Sequence, residues 1–287
     1  RSTLSPSSAA SDVYKRQASS GDDGHIDGVS TSYSAIQAGD CTKNVYTTDG
    51  YAAVGQYYDA DYDRYYVRRA YLRFDTSSIP TDAQITSAKL RIYGHVDKSD
   101  TDFYIRVQKW TGDTPIEAED FTQFDGVNYD DGSFYTSSYQ TLAWNEITIS
   151  DFDIIAKGGY TKICVRSSRD IAENTPSGYE YITFYSRDYS STRAPQLVIE
   201  YVCAPSIGEF KAPSTVYTDE YFLLNATIND PDGVADFVNA TVELSNGIIL
   251  LWDNSTDTFT EYSDPNSYCM LDSSGSFKTQ LNATAYR

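Results

Sequence analysis

Between Arg69 and Gly94 the chain reads R-A-Y-L-R-F-D-T-S-S-I-P-T-D-A-Q-I-T-S-A-K-L-R-I-Y-G, with apolar residues at every second position of its two halves. Ala70, Leu72 and Phe74 alternate with Arg69, Tyr71 and Arg73. Ala88, Leu90 and Ile92 alternate with Lys89, Arg91 and Tyr93. A period of two sends one set of side chains into a core and the other to the opposite face, so both halves are half-buried β-strands. The connecting residues 75–82 supply Asp, Ser and Thr that bond their own backbone and a proline that stops a ladder. The two strands are therefore expected to form a hairpin.

The same period returns elsewhere. Phe103, Ile105 and Val107 alternate with Tyr104, Arg106 and Gln108, and short strands are expected near 26–29, 44–47, 51–55, 147–149, 161–166, 181–185 and 196–202. Long helical periodicity is missing, tyrosine occurs 26 times and methionine once. About eight to ten short strands with polar turns suit a jelly-roll-like double sheet.

The phrase R-A-x-L-x-F-D-T-S-x-I-P-x-x-A-x-I-x-x-A-x-L-x-x-Y-G resembles the DNRLRE-type β-sandwich, which is similar to carbohydrate-binding module family 96 and to disaggregatase-related repeats. Val54-Gly55, Lys162-Ile-Cys-Val-Arg-Ser-Ser and the closing Ala194-Pro-Gln-Leu-Val-Ile-Glu-Tyr201 agree with it, so the likeness covers residues 22–202. It implies a non-catalytic carbohydrate-binding or adhesion module within a larger secreted or cell-surface protein. A structural spacer of such a protein, or an accessory region of a polysaccharide-degrading enzyme, are the alternatives.

Three segments are expected. Residues 7–17, S-S-A-A-S-D-V-Y-K-R-Q, are what a transposase-type sequencing adapter encodes, so residues 1–17 read as a translated artefact outside the fold. Residues 18–203 form the jelly-roll-like β-sandwich. After Cys203-Ala-Pro, residues 204–287 start a fresh series of alternating strands joined by Pro231-Asp-Gly and Asn246-Gly turns, which looks like an incomplete immunoglobulin-like sandwich. The strand pattern is still running at Arg287.

A formal charge of -19 repels nucleic acid, and no apolar run approaches the length of a membrane span. Cys41, Cys164, Cys203 and Cys269 lack C-x-x-C spacing, which disfavours zinc and leaves buried thiols and disulfides both open. His25 and His95 are the only histidines, and no nucleophile elbow or phosphate-cradling loop occurs, so catalysis is not expected.

Four constellations are candidate sites. Arg73, Arg91 and Arg106 with Tyr71, Tyr93 and Tyr104 are expected on one outward sheet face, where rings stack on sugar C–H surfaces and guanidinium groups pair with the carboxylates of an acidic polysaccharide. Arg69 is expected either beside them or, instead, in a structural salt bridge with Asp75. Asp59, Asp61 and Asp63 alternate in a tyrosine-rich loop and form a candidate structural calcium site, although the glycine and distal glutamate of an EF-hand loop are missing. Asn225, Asn239, Asn254 and Asn282 head N-x-Ser/Thr triplets and are candidate glycosylation positions, or plain decoration of wet strand faces. Trp110 and Trp144 are runner-up sugar platforms, with core anchoring as the other role.

Overall fold

A computed structural model describes residues 12–17, 23–125 and 133–203, and the backbone of seven strands between 206 and 286. The chain divides into two compact units, one of Val13–Thr81 and Ile85–Tyr201, the other including Val202–Arg287. In chain order the first unit carries β1 (Asp12–Gln17), β2 (Asp23–Ser30), α1 (Tyr33–Gln37), β3 (Thr42–Tyr46), β4 (Tyr51–Asp59), β5 (Arg64–Asp75), β6 (Gln84–Ser99), β7 (Tyr104–Lys109) and β8 (Ser133–Tyr135). There follow β9 (Trp144–Ile149), β10 (Tyr160–Ser167), α2 (Ser168–Ile171), β11 (Tyr179–Tyr185) and β12 (Gln196–Val202).

These strands form an antiparallel β-sandwich. Its main path runs β1-β12-β6-β11-β4-β5-β10-β7-β8, with β2 and β3 joined through β5 and β9 through β6, so residues 12–17, expected outside the fold, form an end strand beside β12. The core is what the alternation dictates: Ala70, Leu72, Phe74, Ala88, Leu90, Ile92, Ile105, Val107, Ile147 and Ile163 are all buried.

The expected hairpin is not formed. β11 and β4 stand between β6 and β5, because β5 is paired with β2, β4 and β10. The connection is tied to the β10 side. Thr76 Oγ1 donates to the Ala156 carbonyl at 2.6 Å and lies 3.0 Å from Thr161 Oγ1, while Ile79 is buried. The chain leaves β5 there and crosses instead of folding back.

The expectation that Arg69 and Tyr71 point to solvent is also corrected. Residues 110–124 and α1 lie over that face of β2, β5 and β10, and build a second apolar cluster from Ile26, Ile36, Tyr71, Trp110, Phe121 and Cys164. Trp110 is a core anchor, its indole N–H donating to Asp120 Oδ1 at 2.9 Å. Tyr71 donates its hydroxyl to the Asp120 carbonyl at 2.8 Å. Arg69 pairs with Asp170 of α2, not with Asp75, which instead accepts from the Ser77 amide. The buried Gln108 accepts from Arg166 beneath the same cover.

In the second unit β13 (Ser206–Lys211), β14 (Phe222–Asn229), β18 (Met270–Ser274) and β19 (Gln280–Tyr286) make one antiparallel sheet, ordered β13-β14-β19-β18. A second sheet joins β15 (Asn239–Glu243), β16 (Ile249–Asp253) and β17 (Thr258–Ser263).

Candidate functional site

The hairpin of β4 and β5 reads Y-Y-D-A-D-Y-D-R-Y-Y from Tyr57 to Tyr66. Its turn is closed by Asp59, whose Oδ1 accepts from the amides of Asp61 and Tyr62, and Asp63 takes the left-handed backbone region at φ 48°. The register sets Tyr57 opposite Tyr66 and Tyr58 opposite Tyr65. Alternation then sends the two tyrosine pairs to opposite faces. Tyr58 and Tyr65 lie on the α1 side, with Tyr33 edge-on to Tyr65. Tyr57 and Tyr66 stack on the other side, centroids 4.4 Å apart and planes within 2°.

This stack makes Tyr66 a wall. Tyr57 covers one face of its ring from β4, and the other face turns toward β2 on the far side of β5. There an open groove of about 690 Å³ is lined by Val29, Ser30 and Thr31 at the end of β2, Asp40, Cys41, Thr42 and Asn44 at and before β3, and Arg64 and Tyr66 of β5. Register places Val29 between Tyr66 and Thr42, and Asp27 opposite Asn44. The size falls in the range of small-molecule sites, about 300–1,000 Å³. One aromatic wall beside hydroxyl, amide, carboxylate and guanidinium groups matches a sugar ring, which has apolar C–H faces and a rim of hydroxyls.

Behind the wall sits Arg68. Its guanidinium lies 4.8 Å from the Tyr57 centroid and 4.5 Å from that of Tyr181, and Nη2 reaches the Tyr57 hydroxyl at 3.5 Å. Arg68 Nε approaches the buried Asp27 carboxylate at 3.4 Å, and Asp27 lies 3.7 Å from His25 Nε2. His25 itself is buried and stacked between Tyr46 and Tyr51. Burial pushes the Asp27 carboxyl up to about 6 although the Arg68 charge opposes it, and burial with the Arg68 charge pushes the His25 imidazole down to about 3.

The residues expected to share one arginine and tyrosine face are dispersed. Arg73 lies over the Tyr160 ring at 3.7 Å. Arg106 lies over Tyr104 at 5.0 Å, with Tyr135 beside that ring. Arg91 is on β6, across β11 and β4 from Arg73, paired with Glu146 at 3.0 Å and set over Trp144. Tyr93 packs edge-on to Trp144 and donates to the Leu142 carbonyl. Tyr71 is wholly buried.

Among the described residues no group of three or more His, Cys, Asp or Glu is arranged to hold a metal ion. Asp59 and Asp63 are engaged within the turn, Asp63 accepting from the Tyr58 hydroxyl at 2.8 Å, and Asp61 is exposed. Asn225 and Asn282 are register partners in the backbone ladder of β14 and β19, and Asn239 opens β15; Asn254 lies outside the described residues. Cys41 and Cys164 carry no disulfide, and Cys269 also lies outside the described residues.

Sequence reasoning passed over Tyr57, Tyr66, Asn44 and Arg64. The signal was present as two tyrosine doublets placed symmetrically about a four-residue turn, which forces like rings into register. The same stretch drew a metal reading because of its three aspartates.

A comparison with curated proteins finds no match. The model of carbohydrate-binding module family 96 matches residues 32–201, which include β3, β4, β5 and β11 and hence most of the groove. With more than half of its length matched, this chain belongs to carbohydrate-binding module family 96.

Proposed function

We propose that the first unit is a non-catalytic module that holds a polysaccharide in the groove between Tyr66 and strands β2 and β3. The observation that carries this reading is the Tyr66 ring, propped from behind by Tyr57 at 4.4 Å and facing a polar groove in a chain of this family. A sugar ring stacks on Tyr66 while Asn44, Thr42 and Asp40 meet its hydroxyls. Arg64, exposed at the margin, supplies the charge that an acidic polysaccharide would meet. The module belongs to a larger extracellular or surface-attached protein, in which the second unit is an immunoglobulin-like spacer with glycans at Asn225, Asn239, Asn254 and Asn282.

The test is affinity electrophoresis of the full chain in gels cast with polygalacturonate, carboxymethyl cellulose, xylan and glucomannan, at two salt concentrations. Retardation by at least one polymer, lost in Tyr66→Ala and in Asn44→Ala, supports the groove. Retardation unchanged in both variants moves the site elsewhere, and no retardation by any polymer refutes the reading for this panel.

A further inference from the structure

Three buried polar atoms directly behind the groove wall lack a hydrogen-bond partner: His25 Nδ1, Asp27 Oδ1 and Arg68 Nε. Buried polar atoms without a hydrogen-bond partner are uncommon in folded proteins, so a cluster of three calls for a role. Their arrangement supplies one. Asp27 draws the Arg68 guanidinium inward at 3.4 Å, Arg68 lies against the Tyr57 ring, and Tyr57 backs Tyr66 plane to plane. Asp27 does not line the groove; it reaches the wall through Arg68 and Tyr57.

We propose that Asp27 is a positioning residue for the groove: its carboxylate holds Arg68 against Tyr57 so that the Tyr66 wall stands, and its protonation loosens the wall and weakens carbohydrate binding in acid. The inference rests on the groove reading above. The groups facing Asp27 fix the direction of the effect. Arg68 on β5 is the one cation, and it stays charged throughout. His25, its neighbour along β2, stays neutral to about pH 3. Asp49, after β3, adds negative charge, and Tyr46 on β3 and Tyr57 on β4 are uncharged phenols. Asp27 alone therefore changes charge between mildly acid and neutral pH, with its midpoint at about 6.

Two readouts separate this inference from the function it rests on. The first needs no carbohydrate: ring signals of Tyr57 and Tyr66 followed by NMR from pH 4.5 to 8. They are expected to shift with one inflection in the wild type and in His25→Gln, and to stay flat in the isosteric Asp27→Asn. The second is retardation in polygalacturonate gels. Binding about tenfold weaker at pH 5 than at pH 7.5 is expected in the wild type, with no pH dependence in Asp27→Asn. Flat ring signals in the wild type, or an inflection that survives in Asp27→Asn, overturn the inference whether or not the polymer binds. Absence of retardation at both pH values refutes the polymer as ligand and leaves the ring signals to decide the role of Asp27.

Discussion

Arg69 and Asp170, a hundred and one residues apart, meet as a buried fork: Arg69 Nε donates to Asp170 Oδ2 at 2.9 Å and Nη2 donates to Oδ1 at 2.7 Å. Arg166 Nε adds a third bond to the same carboxylate at 2.7 Å, and Arg69 Nη1 donates to the Phe121 carbonyl at 2.6 Å. The guanidinium also lies 4.1 Å from the Phe121 centroid. One carboxylate on α2 thus ties β5, β10 and the covering segment together, and its geometry leads to the first test.

Replacing Asp170 by Asn strands two buried guanidinium groups. A loss of about 3–5 kcal/mol is expected, the usual cost of removing one partner of a buried pair, measured as a fall in the urea midpoint. Burial raises the Asp170 carboxyl, but the charges and hydrogen bonds of Arg69 and Arg166 outweigh it and hold the group well below the ordinary range. Its contribution is therefore complete above about pH 4 and drains away as pH falls below that.

His25 and Asp27 oppose each other in the pH dependence of stability. Between about pH 4 and 6 the folded pair holds one proton, on Asp27, and the unfolded pair also holds one, on His25, so the two contributions cancel. Each single variant exposes one side. In Asp27→Asn only the depressed His25 remains, and stability is expected to fall by up to about 1.4 kcal/mol per unit as pH drops from about 6.5 to 3. In His25→Gln only the raised Asp27 remains, and stability is expected to rise as pH drops from about 6 to 4. Thermal melts across this range check both slopes.

The tyrosines form a graded series. Tyr66→Ala removes the wall and is expected to cost about 2 kcal/mol of polysaccharide affinity, as for an aromatic anchor. Tyr57→Ala removes only its support and is expected to cost less. Tyr104→Ala, on a strand outside the groove, is expected to leave affinity unchanged. Titration calorimetry with any polymer retained in the gels orders the three.

The covering segment rests on Phe121. Phe121→Ala is expected to destabilise the fold by about 3–5 kcal/mol through lost burial and a cavity beside Trp110 and Ile26. Gly28→Ala should destabilise by the opposite route, overpacking, since a methyl group there would run into the Phe121 ring. Denaturant unfolding of both variants, with tryptophan fluorescence as probe, tests the claim.

Much of the fold was legible in the chain. Alternation at Ala70, Leu72, Phe74 and at Ala88, Leu90, Ile92 fixes strand type and the core face, because a two-residue period depends on nothing beyond the backbone. The tyrosine doublets about Asp59–Arg64 fix a pair of stacked rings for the same reason, since a four-residue turn sets the register locally. What only the tertiary structure decided is which strands are neighbours and which face is covered. Pairing of β5 with β2, β4 and β10 in place of β6 depends on anchors eighty residues away, such as Ala156 and Thr161 against Thr76. The second face of β5 carries Arg69 and Tyr71, polar at one end and so outward by their pattern. It is buried because Phe121 and Asp170, from distant segments, arrive to pair with them. Alternation tells the two faces of a strand apart; only long-range packing tells which of them meets water.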